Sequence, residues 1–211
     1  HGTCRDEYSF DTAVKNIKTL REGNIKVFVQ VTIHKGNYTN IEEVTEFLIH
    51  ELKVKSVVYN AALNLGACHL HPKDIQLDVN EYTKVMSLAI MLKRKYPGNI
   101  GASSGPLADA YLWAAMERAV KKQGEPSWQG GSLVGCSCVF KDISVLSDGT
   151  MVPCHLLGSL ELGNIINENI LDVWHQNGRL RALRSRHNIP LSNFSFCHNC
   201  PYMPYCTGNC P

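Results

Sequence analysis

Cysteine is the residue whose type and spacing carry chemistry in this chain. Seven of the nine cysteines fall in the last 76 of 211 residues. The final four read Cys197-x2-Cys200-x5-Cys206-x3-Cys210. Upstream stand Cys136, Cys138 and Cys154, with a turn at Ser147-Asp148-Gly149-Thr150 before the last of them. Thiolates grouped at gaps of two to five residues can converge on one soft metal centre, because short loops lose little closure entropy. A disulfide framework is the competing reading. The odd count, the clustering and the large cysteine-poor half favour metal ligation in a reducing cytoplasm instead.

A second candidate is Cys68-His69-Leu70-His71, in a loop after an expected strand. A thiol and two imidazoles can bind zinc. The other reading is that these residues line or cover a substrate cleft, since barrel enzymes place their sites at that end of the strands. Cys4 has no partner nearby in sequence and takes no role.

The elements that must position these residues alternate in period. Phe10, Val14, Ile17 and Leu20 recur at helical spacing, and Gly23-Asn24 stops the run. Ile25, Val27, Val29, Val31 and Ile33 recur at every second position, as in a strand. Val44, Phe47, Leu48 and Leu52 mark a second helix, and Val54 to Tyr59 a short buried strand. Asp78 and Glu81 form a capping box for a helix reaching Tyr96. A third strand near Asn99 to Ala102 and a helix from Leu107 to Lys122 complete this half. Helix–strand alternation predicts a parallel sheet with crossover helices. Three strands cannot close a barrel, so the sheet is either small and open or the rear of a barrel. Residues 124–131 read as a linker. A hairpin is expected around Asp148-Gly149, then a helix over Ile170 to Asn177, then the cysteine-rich tail. The expected domains are 1–125 and 126–211, in an α/β fold.

Composition is that of a globular protein, 44% hydrophobic and 19% charged, with a net charge of +2. This gives no electrostatic case for nucleic acid or an anionic membrane. The basic stretch from Arg179 to Arg186 reads as a solvated helix face. No apolar run approaches the length of a membrane helix. The chain begins with His1 and not Met, which suggests a fragment.

The pattern Cys136, twelve residues, Gly149, four residues, Cys154, and the final four cysteines resembles the SPASM extension of radical S-adenosylmethionine enzymes. Leu162-Gly163-Asn164-Ile165 and Ile170-Leu171-Asp172-Val173-Trp174 are also similar to it. His1, Arg5, Phe10-Asp11, the strand ending in Thr32 and Asn37 after it resemble the later βα units of the radical enzyme barrel. The resemblance implies a partial TIM-like barrel followed by a module with two auxiliary [4Fe-4S] clusters. It assigns Cys136, Cys154 and Cys210 to the first cluster, and Cys197, Cys200 and Cys206 to the second. The second cluster's usual last ligand would lie beyond Pro211. Cys138 is either a further ligand of the first cluster or a free thiol. Arg5 would contact S-adenosylmethionine, as a planar charged fork suits a carboxylate, and Leu63 would pack on that cofactor. Plain structural roles for both stay open.

The implied function is radical modification of a peptide or protein, with electrons from a donor such as flavodoxin or ferredoxin. These enzymes hold their catalytic cluster on a C-x3-C-x2-C loop, and the 211 residues contain none. The chain alone is therefore expected not to cleave S-adenosylmethionine. Anaerobic sulfatase maturases carry an aspartate after the cysteine that matches Cys154, used as a base; here His155 stands in that place. Histidine can accept a proton near neutrality, so it is either a catalytic base or a residue packed near the cluster. The alternative function is a non-enzymatic zinc module, with the last four cysteines as a tetrahedral site.

Overall fold

The computed structural model describes residues 8–64, 68, 70–102 and 104–208. The chain divides into two compact units, 1–113 and 114–211.

In the first unit, helix α1 (Ser9–Glu22) lays Val14 and Ile17 against the core. Strand β1 (Phe28–Ile33) pairs in parallel with β2 (Ser56–Ala61), from Phe28 opposite Ser56 to Ile33 opposite Ala61. Both strands begin later than their apolar patterns. Lys53 sits in a left-handed turn at φ 49°, and the chain becomes extended only beyond it. Helix α2 (Ile41–Glu46) runs into a π turn over Phe47–Glu51, closed by Leu52 N–H on the Phe47 carbonyl at 3.1 Å. After β2 come a single turn, α3 (Pro72–Ile75), and the long helix α4 (Val79–Lys95). The Asp78–Glu81 capping box forms as expected, satisfying donors on both sides of the helix start. Strand β3 (Ile100–Gly101) pairs in parallel with β2, giving the order β1-β2-β3.

The core between sheet and helices includes Ile33, Val57, Tyr59, Val85, Leu92 and Ile100, all nearly inaccessible. Each large apolar side chain so buried contributes about 1.5–3 kcal/mol. Tyr59 brings a hydroxyl into this core and shares a 2.6 Å hydrogen bond with Thr45, whose own hydroxyl donates to the Ile41 carbonyl at 2.6 Å. Burial pushes the Tyr59 phenol up to about 12, so it stays neutral.

Helix α5 (Pro106–Val120) follows, and Gly105 before it has φ 73°. A Cβ there would stand 2.2 Å from the Tyr59 carbonyl, so only glycine lets the chain turn so close to β2.

The second unit has little regular structure. Short helix α6 (Cys138–Lys141) precedes an antiparallel sheet of β4 (Ser144–Val145), β5 (Thr150–Val152) and β6 (Gly163–Asn164), in that order. Asp148 and Gly149 make the predicted hairpin turn, with Asp148 accepting from Thr150 N–H at 2.9 Å. Helices α7 (Ile170–Gln176) and α8 (Gly178–Arg184) follow, each capped by an asparagine side chain, Asn169 and Asn177. Val139, Met151, Leu162, Val173 and Leu180 form the core. Four 3₁₀ turns carry the chain to Cys206. No helix among the described residues is long and apolar enough to cross a membrane.

Candidate metal centre

Two sets of three cysteines are brought together in the second unit. Cys136 follows Gly135, whose φ is 55°, Cys138 opens α6, and Cys154 stands two residues beyond β5. Met151 and Val152 are fully buried and hold β5 in place. The Cys138 thiol is pushed up to about 11, first by burial, then by a hydrogen bond and the charge of Cys136, then by the charge of Cys154. The three sulfurs are thus close enough to repel as thiolates, and a bound cation would remove that penalty.

The second set is built from consecutive tight turns. Cys197 ends the turn Ser195–Cys197, Cys200 N–H returns to its carbonyl at 3.1 Å, and Met203 N–H returns to that of Cys200 at 3.1 Å. Cys206 follows the turn Met203–Tyr205. Partial burial raises the Cys197 thiol first, followed by the charges of Cys206 and Cys200.

Among the described residues, no three His, Cys, Asp or Glu side chains form a group arranged to hold a metal ion. A tetrahedral zinc site needs four donors at about 2.3 Å from one centre. An iron–sulfur cluster instead takes its thiolates on separate iron atoms. An all-thiol donor set matches the chemistry of iron–sulfur clusters.

The supports of these cysteines were not legible in the sequence. Arg186 belongs to the basic stretch expected on a solvated face, yet it is only 6% exposed. Its Nη2 donates to the Cys136 carbonyl, and its guanidinium lies 5.8 Å from the Phe140 ring centre. Its Nε is buried without a hydrogen-bond partner. Arg184 donates from Nε to the Val139 carbonyl at 2.8 Å and stacks over Trp174 at 4.0 Å. Together these arginines pin α6 and Cys136, two residues before it.

Residues 124–131, expected as a linker, include a clamp on the second set. Trp128 Nε1 donates to the Tyr205 carbonyl at 2.8 Å, Gly131 N–H to that of Cys206 at 2.8 Å, and Gly135 N–H to that of Thr207 at 2.6 Å. Gly130 lies so close that a Cβ would meet the Tyr205 carbonyl carbon at 2.3 Å. The signal available beforehand was the glycine pair Gly130-Gly131, which marks close backbone approach as well as flexibility.

His155 is exposed on the first residue of a 3₁₀ turn directly after Cys154. Leu63 is half exposed, beyond the carboxyl end of β2. Thr32, Asn37, Asn60 and Ser104 gather at the same end, where Asn37 donates to the Thr32 carbonyl at 2.9 Å and Ser104 to Asn60 at 2.7 Å. Arg5, Cys4, His69 and Cys210 lie outside the described residues. Cys68 accepts from His71 N–H through backbone at 3.2 Å, and no metal-holding group forms around them among the described residues.

This α/β unit followed by a cysteine-rich module defines a class. Residues 136–201 match the family model of the SPASM domain, an iron–sulfur cluster-binding domain. Streptococcus suis SuiB bound to S-adenosylmethionine is similar over 95% of this chain and 44% of its own, at 19% identity and a TM-score of 0.63. SuiB bound to its precursor peptide SuiA matches to the same extent. Native anSMEcpe with bound AdoMet and Kp18Cys peptide is similar over 96% of this chain and 52% of its own, at 16% identity and a TM-score of 0.58. The chain therefore spans about half the length of these solved structures. No curated protein matches it in sequence. The fold is that of the corresponding half of these structures, a partial α/β barrel followed by a cysteine-rich module of which residues 136–201 match the SPASM model.

Proposed function

We propose that the chain is the rear of the barrel and the auxiliary-cluster domain of a radical S-adenosylmethionine enzyme that modifies a peptide. The observation that carries this reading is the two sets of three cysteines, five of the six within the stretch 136–201 that matches an iron–sulfur domain family. Cys136, Cys138 and Cys154 would hold one [4Fe-4S] cluster, with Cys210 as a further ligand. Cys197, Cys200 and Cys206 would hold the other. When bound, such clusters supply one-electron transfer, and the protein supplies position and electrostatics.

The chain's own residues divide that work. Arg184 and Arg186 place positive charge beside the first set and fix the backbone of Cys136 and Val139. The 128–135 segment fixes the backbone of Cys206. The carboxyl ends of β1–β3 present Asn37, Asn60, Leu63 and Ser104 at the edge where barrel enzymes bind ligands. There Arg5 and Leu63 would contact S-adenosylmethionine.

A peptide substrate is supported by the peptides bound to SuiB and anSMEcpe in their structures. His155 in place of an aspartate supports a branch outside the sulfatase maturases, making a crosslink or similar bond on a short precursor. A flavodoxin- or ferredoxin-type donor and a cytoplasmic setting complete the proposal.

The test is composition after anaerobic purification. Iron with acid-labile sulfide and a brown colour that bleaches in air is expected. Stoichiometric zinc without sulfide overturns the reading in favour of a structural zinc module. For the substrate branch, the full-length enzyme is co-expressed with a sulfatase and, separately, with any small peptide encoded beside it. Formylglycine on the sulfatase and no mass change on the peptide defeats the assignment.

A further inference from the structure

Cys206 is held on every side by backbone hydrogen bonds. Its N–H returns to the Tyr202 carbonyl at 2.8 Å, and its carbonyl accepts from Gly131 at 2.8 Å. Its sulfur, moreover, accepts a hydrogen bond from the backbone N–H of Gly208 at 3.3 Å. Gly208 has φ 72°, and a Cβ there would stand 2.7 Å from Leu133 Cδ1. A left-handed residue two positions on turns its amide back toward the sulfur. Leu133 belongs to the same segment that carries Gly131 and Gly135, so one strip of chain both fixes the cysteine and walls in the amide aimed at it.

We infer that Gly208 is a positioning residue that sets the electronic character of the second cluster by donating its N–H to the Cys206 thiolate. The inference rests on the reading of Cys206 as a cluster ligand. Reduction adds negative charge to a cluster and its sulfurs, and a fixed amide dipole on one of those sulfurs stabilises the reduced form more than the oxidised one. The donor raises the reduction potential of the cluster it touches. No side chain is needed, which is why no polar residue in the sequence marks the device.

The test uses the iron-reconstituted protein grown with 15N-glycine. Pulsed electron paramagnetic resonance of the reduced second cluster should show a coupled 15N nucleus, and an exchangeable proton that is lost in D2O. In Gly208→Asn, which keeps the amide and tolerates positive φ, the coupling should revert to 14N with the midpoint potential retained. Gly208→Pro, which removes the donor, should shift the midpoint of that cluster to more negative values and leave the other unmoved. Should the proline variant fail to fold, the isotope comparison decides alone. A 15N coupling absent from the reduced cluster, or unchanged in Gly208→Asn, overturns the inference while leaving the clusters themselves established. Absence of iron and sulfide would instead defeat the reading on which it rests.

Discussion

Gly130→Ala isolates steric closeness from backbone conformation, because no left-handed φ is recorded at this position. The new Cβ would meet Tyr205 C at 2.3 Å, Tyr205 Cα at 2.6 Å and Cys206 N at 2.7 Å. All three are backbone atoms, so no side chain can swing away. An ordinary contact begins near 3.4 Å, and the two segments must part by about 1 Å to restore it. Bonds of 2.8 Å from Gly131 and Trp128 then stretch beyond the range in which N–H···O bonds hold. Losing two such bonds costs about 1–3 kcal/mol. For a chain of this length that lowers the melting temperature by about 2–12 °C. The assay is thermal unfolding by circular dichroism, with iron content measured on the same sample. Gly178→Ala is the control, since nothing lies within 4 Å of its Cβ position and it opens α8. That variant should be neutral or stabilised by up to about 1 kcal/mol. A Gly130→Ala protein that melts with wild type and keeps all its iron would refute the clamp.

Replacing Cys200 by Ala should remove one cluster's spectroscopic signal and replacing Cys154 the other's; Cys210→Ala should follow Cys154, and following Cys200 instead would break the crossed assignment. Tyr59→Phe removes one buried hydrogen bond while Thr45 keeps its bond to the Ile41 carbonyl, and should destabilise the first unit by about 0.5–1.5 kcal/mol in urea titration, with an unchanged m-value. Glu46 is held below its usual carboxylate range by its hydrogen bond to Lys95 and that residue's charge. Its contribution is present above the ordinary value of 4.5 and fades as pH falls below it, so Lys95→Met should flatten the acid limb of the stability curve. The 211 residues alone, with clusters and reductant, should yield no 5′-deoxyadenosine above a protein-free control.

Elements with strong local signals were legible in advance. The Asp78–Glu81 box, the Asp148-Gly149 hairpin and the alternation of β1 all follow from residues within a few positions of one another. Strand starts were not, because pairing partners and the turn at Lys53 decide them. The cysteine sets were visible through spacing, since sulfur types and short gaps are local facts. Their supports were hidden by distance: Arg186 reaches back 50 residues to Cys136, and Trp128 forward 77 to Tyr205. Charge pattern alone placed Arg186 in water, and only the fold reveals the carbonyl it serves. Helix α8 was expected from the basic stretch, but not its start at Gly178, because glycine there looks like a terminator although a helix start tolerates it.

The tie between Gly131 and Cys206 also fixes an order of events during synthesis. In the first unit, β1 and β2 pair across a few tens of residues, and both precede the second unit in the chain. That sheet can assemble while the ribosome is still at work. The clamp cannot, because its two halves lie at opposite ends of the second unit. At about 5–20 residues per second, Cys136 is made several seconds before Cys206. Through that interval the earlier thiols wait, open to oxidation and mispairing, for a partner segment not yet translated. Long-range closure of this kind is also slow once the chain is free. A cluster that needs Cys206 can therefore be filled only after the clamp's second half has been made.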